Sequence, residues 1–233
     1  MATRLRRGAR LAPRVLAADS TGVRACLVPT QAGPLAGDHD RVEIGVGTGA
    51  TLIVGPIGAA CALAGSARTL LELEVELQVG ARLVFEEAPL ILAYGANVAR
   101  SATVKLAAGA VAALRDVVVL GDEGQAGAGV SLASSLRITD PDGVLLHDAL
   151  RIDPALVHDD AHVALAPGHR VVGTLSLFGL RPSVDDPAAL ALARQGLLRR
   201  ATAPGLAAVH AELAPTWADW SRAAAGTRCR VGP

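Results

Sequence analysis

Aromatic residues and net charge are both nearly absent from this chain of 233 residues. Phe, Trp and Tyr make up 2% of it, although hydrophobic residues make up 51%. Ala, Val, Leu and Ile must therefore fill the interior, and sites that stack ligands on aromatic rings, such as those for single-stranded nucleic acid, are disfavoured. The 22 basic and 22 acidic residues cancel, which removes a general electrostatic attraction for nucleic acid or anionic membrane. We expect neither as a partner.

Cysteine is also scarce, and no apolar run is long enough to cross a bilayer. Cys26, Cys61 and Cys229 are far apart and form no C-x-x-C pair, which is typical of core thiols in a reducing cytosol and not of a disulfide framework. Lys105 and Arg115 interrupt the most apolar segment, whereas a spanning helix needs about 20 apolar residues. The sequence therefore predicts a cytoplasmic protein that does not enter the membrane.

The familiar catalytic signatures are missing as well. The sequence has no Walker A loop, no H-E-x-x-H and no G-x-S-x-G, which are the motifs of nucleotide hydrolysis, zinc proteases and serine hydrolases. Gly45, Gly47 and Gly49 spell G-x-G-x-G, but they lie between two predicted strands with no helix after them, so a turn explains them better than a dinucleotide site. We expect a protein that is not an enzyme.

A strand pattern occurs three times in the first half of the chain. Each copy alternates apolar residues with polar or small ones, which is the period of a strand buried on one face. A Gly-Ala step follows each copy, and these steps are about 30 residues apart, the spacing of a structural repeat. The copies are Val42–Val46 before Gly49-Ala50, Val75–Val79 before Gly80-Ala81, and Val104–Ala108 before Gly109-Ala110. The repeat predicts a stack of β-layers.

The second half predicts further strands. Ser135–Thr139 and Val144–Asp148 flank the turn sequence Asp140-Pro141-Asp142-Gly143, which is typical of a hairpin because Pro and Gly set the required backbone angles. A second strand pair is predicted at Ala161–Leu165 and Arg170–Leu177. Residues 121–129 are rich in glycine and predict a loop or linker.

Helices are predicted only near the C-terminus. Asp185 or Asp186 can cap a helix that starts at Pro187 and places Leu190, Ala193 and Leu197 on one face, with Arg199 and Arg200 at its end. A shorter helix is predicted through Leu206, Val209 and Leu213, ending near Pro215. Together these patterns predict one mainly β domain over residues 1–233, strand-rich over 10–180 and helical over 185–225, with strands in a stacked β-helix-like or sandwich arrangement and one or two C-terminal α-helices.

The best candidate metal ligands are His158 and His162, which are separated by Asp159-Asp160-Ala161. Imidazoles four residues apart fall on one side of a helix or strand, and imidazole with carboxylate suits nickel or zinc. Surface histidines in a turn explain the same residues and are the more common case. Asp38-His39-Asp40 is a second cluster, but neighbouring strand residues face opposite ways, so we do not expect its side chains to converge.

Two other patterns allow a structural or a functional interpretation. Glu72, Glu74 and Glu76 must share one face of a strand, either as a solvated face that discourages edge-to-edge pairing or as a path of carboxylates that handles a cation weakly. Trp217 and Trp220 are either a partner-binding hot spot or the seal at the end of a core, and packing is the more common role.

The order of these features resembles the UreD (UreH) family of urease accessory proteins over roughly residues 10–155. The resemblance is carried by Gly33–Asp38, Val42–Val46, the Gly-Ala steps at 49 and 80, Pro89-Leu90-Ile91, and Leu120–Gly124. It implies a mainly β stack of strands and a non-enzymatic role in loading nickel into the urease apoprotein, together with the UreF and UreG accessory proteins. It also implies that Asp38 is the family's loop acid.

Two functions follow from these patterns. The first is a scaffold or chaperone for nickel insertion into apo-urease, with no tightly bound cofactor and only transient contact with nickel. The alternative is a small metal-dependent hydrolase, in which His158 and His162 hold a metal whose bound water acts as nucleophile.

Overall fold

A computed structural model describes residues 3–5, 10–19, 22–121, 129–153, 168–181 and 186–226. Within these ranges the chain forms two β-sheets and one α-helix. The strands are β1 Thr3–Leu5, β2 Leu11–Asp19, β3 Gly22–Pro29, β4 His39–Val46, β5 Thr51–Gly55, β6 Ala60–Ala62, β7 Thr69–Leu77, β8 Arg82–Glu86, β9 Leu90–Leu92, β10 Asn97–Leu106, β11 Val111–Leu120, β12 Ser131–Asp140, β13 Gly143–Ile152, β14 Val171–Phe178, β15 Leu190–Ala191 and β16 Gly196–Ala203. The helix, α1, is Leu206–Ala225.

The two sheets lie face to face and exchange strands along the chain. Sheet A has the order β1-β4-β7-β10-β12-β13, and sheet B has the order β15-β16-β14-β11-β8-β5-β3-β2. Strands β4, β7, β10 and β12 pair in parallel in sheet A, while β3, β5, β8 and β11 pair in parallel in sheet B. Each coil of the chain therefore adds one strand to each sheet, which confirms the predicted stack.

The repeated Gly-Ala steps form the corners where the chain passes from sheet A to sheet B. Gly49, Gly80 and Gly109 have φ values of 63°, 65° and 67°, which residues with a side chain rarely adopt. The corners of successive coils are also hydrogen-bonded to each other. The Gly49 amide donates to the Val79 carbonyl at 2.9 Å, and the Gly80 amide donates to the Ala108 carbonyl at 3.0 Å. The spacing of the Gly-Ala steps in the sequence therefore corresponds to one coil of the stack.

Strand alternation sorts the side chains into an interior between the sheets and two outer faces. In β7, Val75 and Leu77 are buried between the sheets, while Glu74 and Glu76 are exposed on the other side. Glu72 lies on the same outer side, so the shared face expected for the three glutamates is confirmed. The outer face of sheet B is covered by α1, whose Val209, Leu213, Trp220 and Ala224 pack against β11, β14 and β16.

The predicted hairpin is present, because β12 and β13 are antiparallel around Pro141-Asp142. The Asp142 amide donates to Asp140 Oδ1 at 2.9 Å, which is the Asx geometry expected of this turn. The strand expected near Arg170–Leu177 is β14. Its expected partner at Ala161–Leu165 lies outside the described residues.

The helix predicted from Asp185 or Asp186 to Arg200 is wrong. Residues 190–191 and 196–203 are the strands β15 and β16, and β16 pairs with β14 along its whole length. Asp186 does not cap a helix; it binds Arg199 Nη1 at 2.6 and 2.7 Å and accepts a hydrogen bond from Thr216 Oγ1 at 2.5 Å. Burial would raise the pKa of Asp186, but the hydrogen bonds from Thr216 and Ala188 and the charge of Arg199 lower it instead. Residues 196–203 form a strand because β14 would otherwise have an unpaired edge. Pairing with β16 provides hydrogen-bond partners for backbone groups of β14 that a helix would leave buried and unpaired.

The helix at Leu206 exists as predicted, but it does not end near Pro215. It continues through Pro215 to Ala225, although a proline inside a helix costs about 3 kcal/mol. The second half of α1 places Trp220 and Ala224 in the buried cluster on sheet B. Arg82 of β8 donates to the carbonyls of Ala223 and Ala224 at 3.2 and 3.0 Å, which satisfies orphan groups at the helix end.

Candidate functional site

The interior between the sheets is interrupted by a cavity of about 420 Å³. An apolar cluster that includes Leu52 and Leu83 lies on one side of it, and a second apolar cluster that includes Leu120 and Leu132 lies on the other. Between these clusters several inward positions of the strands carry polar or charged side chains. They are Asp40 in β4, Arg100 in β10, Asp116 in β11, Ser134 in β12, Asp148 in β13, Thr174 and Ser176 in β14, and Arg200 in β16.

Arg100 ties the two sheets together at the centre of the cavity wall. Its Nε donates to Ser134 Oγ at 2.8 Å in sheet A, and its Nη1 donates to Asp116 Oδ1 at 2.7 Å in sheet B. The second guanidinium nitrogen pairs with Asp116 Oδ2, so the contact is bidentate. Burial alone would lower the pKa of Arg100, but the charge and hydrogen bonds of Asp116 and the charge of Glu87 outweigh it and raise that pKa. Arg100 is therefore a permanent cation.

Glu87 is the carboxylate on this wall whose negative charge is least well neutralised by a neighbouring cation. Its Oε2 is 3.9 Å from Arg100 Nη1, which is an ion pair without a hydrogen bond. The side chain of Glu87 is 42% accessible to water, but the protein that surrounds the carboxyl group still raises its pKa to about 7 through desolvation; Arg100 opposes this change, and the charge of Asp116 adds to it. Glu87 thus exchanges its proton near neutral pH, while Arg100 stays charged.

Two further ion pairs lie at the ends of the cavity. At one end, Arg10 Nη2 pairs with Asp40, and Arg10 Nη1 is 3.6 Å from Asp38 Oδ2. Burial lowers the pKa of Arg10, and the charge of Asp38 opposes that change. At the other end, Arg200 of sheet B reaches across to Asp148 of sheet A and donates to Thr174 Oγ1 at 3.2 Å. An arginine is therefore paired with a carboxylate at each end of the cavity and at its centre.

The structure gives the predicted loop acid Asp38 a positioning role. Its carboxylate accepts a hydrogen bond from the Leu35 amide at 2.8 Å, and its own amide donates to the Leu35 carbonyl at 3.0 Å. These bonds close the turn that follows Pro34 and hold the carboxylate beside Arg10. Asp38 therefore orders the rim of the cavity.

The neighbours of Asp38 diverge as expected. Asp40 faces the cavity and pairs with Arg10, while His39 faces outward with its Nε2 3.3 Å from Glu72 Oε1. The described residues contain no group of three or more His, Cys, Asp or Glu side chains arranged to hold a metal ion. His158 and His162 lie outside the described residues, so metal ligation by them stays a prediction.

The two tryptophans lie on α1 against sheet B. Trp220 is 1% exposed inside the cluster that joins α1 to the sheet, and Trp217 is half-buried beside that cluster. The structure thus describes a packing role for Trp220, and a partner-binding role for the pair stays a prediction. In the part of the chain that the structure describes, no helix is long and apolar enough to cross a membrane.

Sequence reasoning missed the cavity residues Arg100, Asp116, Asp148 and Arg200. A signal for one of them was available, because Arg115 and Asp116 are adjacent in the apolar strand Val111–Leu120. Adjacent strand residues face opposite ways, so a strand buried on both sides must bury both charges. Arg115 faces α1 and binds Glu86 at 3.0 Å, while Asp116 faces the cavity and binds Arg100.

Comparison with known proteins places the chain among urease accessory proteins. Residues 1–231 match the family described as "UreD urease accessory protein". The chain is similar to urease accessory protein UreD 1 of Streptomyces griseus, with 33% identity over 222 residues, covering 94% of this chain and 86% of the relative. It is also similar to urease accessory protein UreD of Streptomyces coelicolor, at 35% identity over 77% of this chain and 70% of the relative. A third relative, urease accessory protein UreD of a Parafrankia species, is 32% identical over 91% of this chain and 80% of its own length.

Proposed function

The chain belongs to the UreD family of urease accessory proteins, and on that premise we propose that it is a non-enzymatic scaffold for inserting nickel into apo-urease. In this role it acts in the cytoplasm in a complex with the UreF and UreG accessory proteins and the urease apoprotein. Nickel is the cargo of this complex and contacts the chain only transiently.

The cavity between the sheets is the observation that supports this role best. Its volume of about 420 Å³ exceeds the space of a hydrated divalent cation, since each water occupies about 30 Å³ of liquid. Carboxylates face it from both sheets, namely Asp40, Glu87, Asp116 and Asp148. Each of these carboxylates is paired with an arginine. A cation that enters the cavity therefore binds isolated carboxylate oxygens and competes for them with the guanidinium groups. Such contacts are weak enough to release the ion again.

The two-sheet stack supplies the rigidity that a scaffold needs. Parallel strands of successive coils are bonded in continuous register, for example from Val42 to Leu73 and from Leu73 to Ala102. The helix α1 fixes the outer side of sheet B through a buried cluster. A partner that binds one side of this stack is therefore held in a fixed position relative to a partner on the other side.

Co-expression of urease with and without this chain tests the accessory role. Urease purified from cells that contain the chain should carry more nickel per active site and should be more active. Equal nickel content and equal activity in both preparations would contradict the proposal.

The Glu87→Gln substitution tests the cavity within that role. The amide keeps the shape of the side chain but loses its charge and its exchangeable proton, so we expect less nickel in co-expressed urease. Glu76→Gln is the matched control, because Glu76 has the same side chain on the outer face of sheet A and does not line the cavity. A pull-down of the accessory partners should succeed with both variants. If both variants load urease as well as the wild type does, the cavity does not handle the cargo.

The hydrolase alternative rests on the spacing of His158 and His162, which lie outside the described residues. Replacement of both by alanine should abolish the metal content of the purified chain under that alternative.

A further inference from the structure

The first half of α1, residues 206–214, which we call the N-terminal segment, is weakly stabilised as a helix. It begins after Gly205, which supplies no side-chain cap, and its first turn contains no acidic residue, although both features ordinarily stabilise the start of a helix. Its first backbone hydrogen bond, from the Val209 amide to the Gly205 carbonyl, is 3.4 Å long, which is a weak bond. The N-terminal segment therefore depends on its contact with sheet B.

Pro215 separates the N-terminal segment from the rest of α1. Because proline has no amide hydrogen, the carbonyl of Ala211 loses its helical partner at this point. Beyond Pro215, Trp220 is buried against sheet B, and Arg82 binds the last carbonyls of the helix. The far half of α1 is thus fixed by its own contacts, and the two halves need not move together.

The contact of the N-terminal segment with sheet B includes one titratable side chain, His210. Its neighbour Val209 is fully buried, as is Leu213, and both pack against Gly173 of β14. His210 itself is half-buried, and its Nε2 atom is enclosed without a hydrogen-bond partner among the described residues. A protonated ring would place a charged N–H donor at this enclosed atom, and a buried charge without a partner is costly.

Sheet B presents a cation to His210. Burial lowers the pKa of His210, the charge of Arg115 lowers it further, and the charge of Glu86 opposes both. Glu86 is already engaged, since its Oε1 accepts a hydrogen bond from Arg115 Nη1 at 3.0 Å. The Nε atom of Arg115 is also buried without a partner in the described part of the chain. A proton on His210 would therefore put a second cation beside one carboxylate.

The other strands beneath α1 do not change this charge balance. β5 and β14 contain no charged residue. β16 contributes Arg199, which pairs with Asp186 and Glu212, while Arg200 of the same strand faces the cavity. β8 contributes Arg82 at the far end of the helix, and the other charged residues of α1 lie beyond Pro215. The charge of His210 is therefore set mainly by Arg115 and Glu86.

We propose that the N-terminal segment is a pH-sensitive switch, which packs on sheet B while His210 is neutral and loosens when His210 gains a proton. The protonated ring must either turn Nε2 toward water or draw Glu86 away from Arg115, and either change weakens the packing of the segment. Since the folded state binds fewer protons at His210 than the unfolded state, the contact is most stable above the ordinary histidine pKa of about 6.5 and weakens as the pH falls below it. This inference does not depend on the nickel role.

Amide hydrogen exchange of the purified full-length chain, measured by mass spectrometry at about pH 7.5 and about pH 5.5, tests the proposal. After correction for intrinsic exchange rates, the protection of residues 206–214 should fall severalfold at the lower pH, while residues 216–225 should keep theirs. Global unfolding is a poorer measurement, because Glu87 gains a proton in the same range and changes stability in the opposite direction. Unchanged protection of residues 206–214, or an equal loss in both halves of α1, would overturn the proposal.

Two substitutions separate the charge of His210 from its shape. His210→Gln cannot be protonated, so residues 206–214 should stay protected at both pH values. His210→Lys is charged at both, so their protection should already be low at about pH 7.5, and retained protection of residues 216–225 would show that the variant is folded. A fall in His210→Gln as large as that in the wild type would mean that His210 is not the switch.

His39→Gln is the matched control. It removes an exposed histidine on the outer face of sheet A, where His39 pairs with Glu72. This variant should show the same fall in protection of residues 206–214 as the wild type does. If His39→Gln abolishes the fall, the proton acts elsewhere in the molecule and the proposal fails.

Discussion

The two spaces on either side of sheet B differ in how completely apolar side chains fill them. The outer space, between sheet B and α1, is closely packed with apolar side chains such as Val117, Leu175 and Trp220. The inner space, between sheet B and sheet A, contains the cavity and its ion pairs around Arg100. One set of strands lines both spaces, because alternate residues of each strand face alternate sides.

Strand β11 shows how this division is achieved. Val111, Ala113 and Val117 face α1, whereas Leu114 and Asp116 face sheet A. The charged pair of the outer space, Arg115 with Glu86, is accompanied by His210 of α1, whose pKa is lowered first by burial and then by the charge of Arg115. The outer space is therefore packed as one apolar cluster around a single charged pair, whereas in the inner space a cavity lined by polar groups separates two apolar clusters.

Trp220→Ala should have the largest effect, because it empties the centre of the outer space. Replacing a fully buried aromatic residue by alanine costs about 3–5 kcal/mol, and Trp220 is 1% exposed. The free energy of unfolding in a denaturant titration should fall by that amount. The matched control is Trp217→Ala, which removes a half-buried ring from the same helix. If Trp217→Ala costs as much as Trp220→Ala, the cluster is not centred where the structure places it.

Arg100→Met should have the next largest effect, because it breaks the main contact across the inner space. The variant keeps a long apolar stem but leaves Asp116 and Ser134 without their partner, which costs about 2–3 kcal/mol for a charged hydrogen-bonded group. Thermal unfolding with circular dichroism would measure the loss. Arg41→Met is the control, since Arg41 makes its ion pairs with Glu43 and Glu74 on the outer face of sheet A. Equal losses in both variants would mean that the cavity wall is as well solvated as the surface.

Gly173→Ala should destabilise the outer space by a smaller amount. A Cβ atom at this position of β14 would lie 2.5 Å from Val209 Cγ1 and 2.6 Å from Leu213 Cδ1, so α1 must shift or its side chains must change rotamer. Overpacking of this kind costs about 1–2 kcal/mol. The contrasting variant is Gly45→Ala in β4, where a Cβ atom meets nothing within 4 Å. Alanine there should stabilise the chain by up to about 1 kcal/mol, because it restricts the unfolded state. Opposite signs in the two unfolding titrations would confirm that the outer space is closely packed at Gly173, whereas the outer face of sheet A is open at Gly45.

The sequence predicts these regions unequally, for physical reasons. The stack over residues 39–120 is predictable, since its strand period and its Gly-Ala corners are local signals that repeat with every coil. Residues 190–203 are not, because Leu190, Ala193 and Leu197 satisfy the helical period although β16 is paired to β14. Local spacing contains no information about a strand edge elsewhere that needs a partner.

The ion pairs of the cavity are hidden for a related reason. Asp148 and Arg200 are 52 residues apart and belong to different sheets, and a charged residue in an alternating strand ordinarily marks the solvent side. Only the register of both sheets shows that these two side chains face inward. The family resemblance was sufficient for the fold and for the family, but it did not identify these residues.

Glu87→Gln should have the smallest effect on stability, and the size of that effect depends on pH. The pKa of Glu87 is about 7 in the folded chain, above its ordinary value of 4.5. The folded state therefore binds more protons than the unfolded state between these two values, and the free energy of unfolding must fall as the pH rises through that window. Glutamine cannot ionise, so this loss is absent from the variant.

The measurement is a pair of denaturant titrations at several pH values between 4 and 8. The variant should match the wild type below pH 4.5 and become the more stable of the two as the pH approaches 7. If the wild type instead becomes the more stable of the two as the pH rises, then Arg100 stabilises the ionised form of Glu87 more than burial penalises it. In that case the inner space would be a set of fixed ion pairs, like the Arg115–Glu86 pair of the outer space, and the contrast between the two spaces would be one of packing alone.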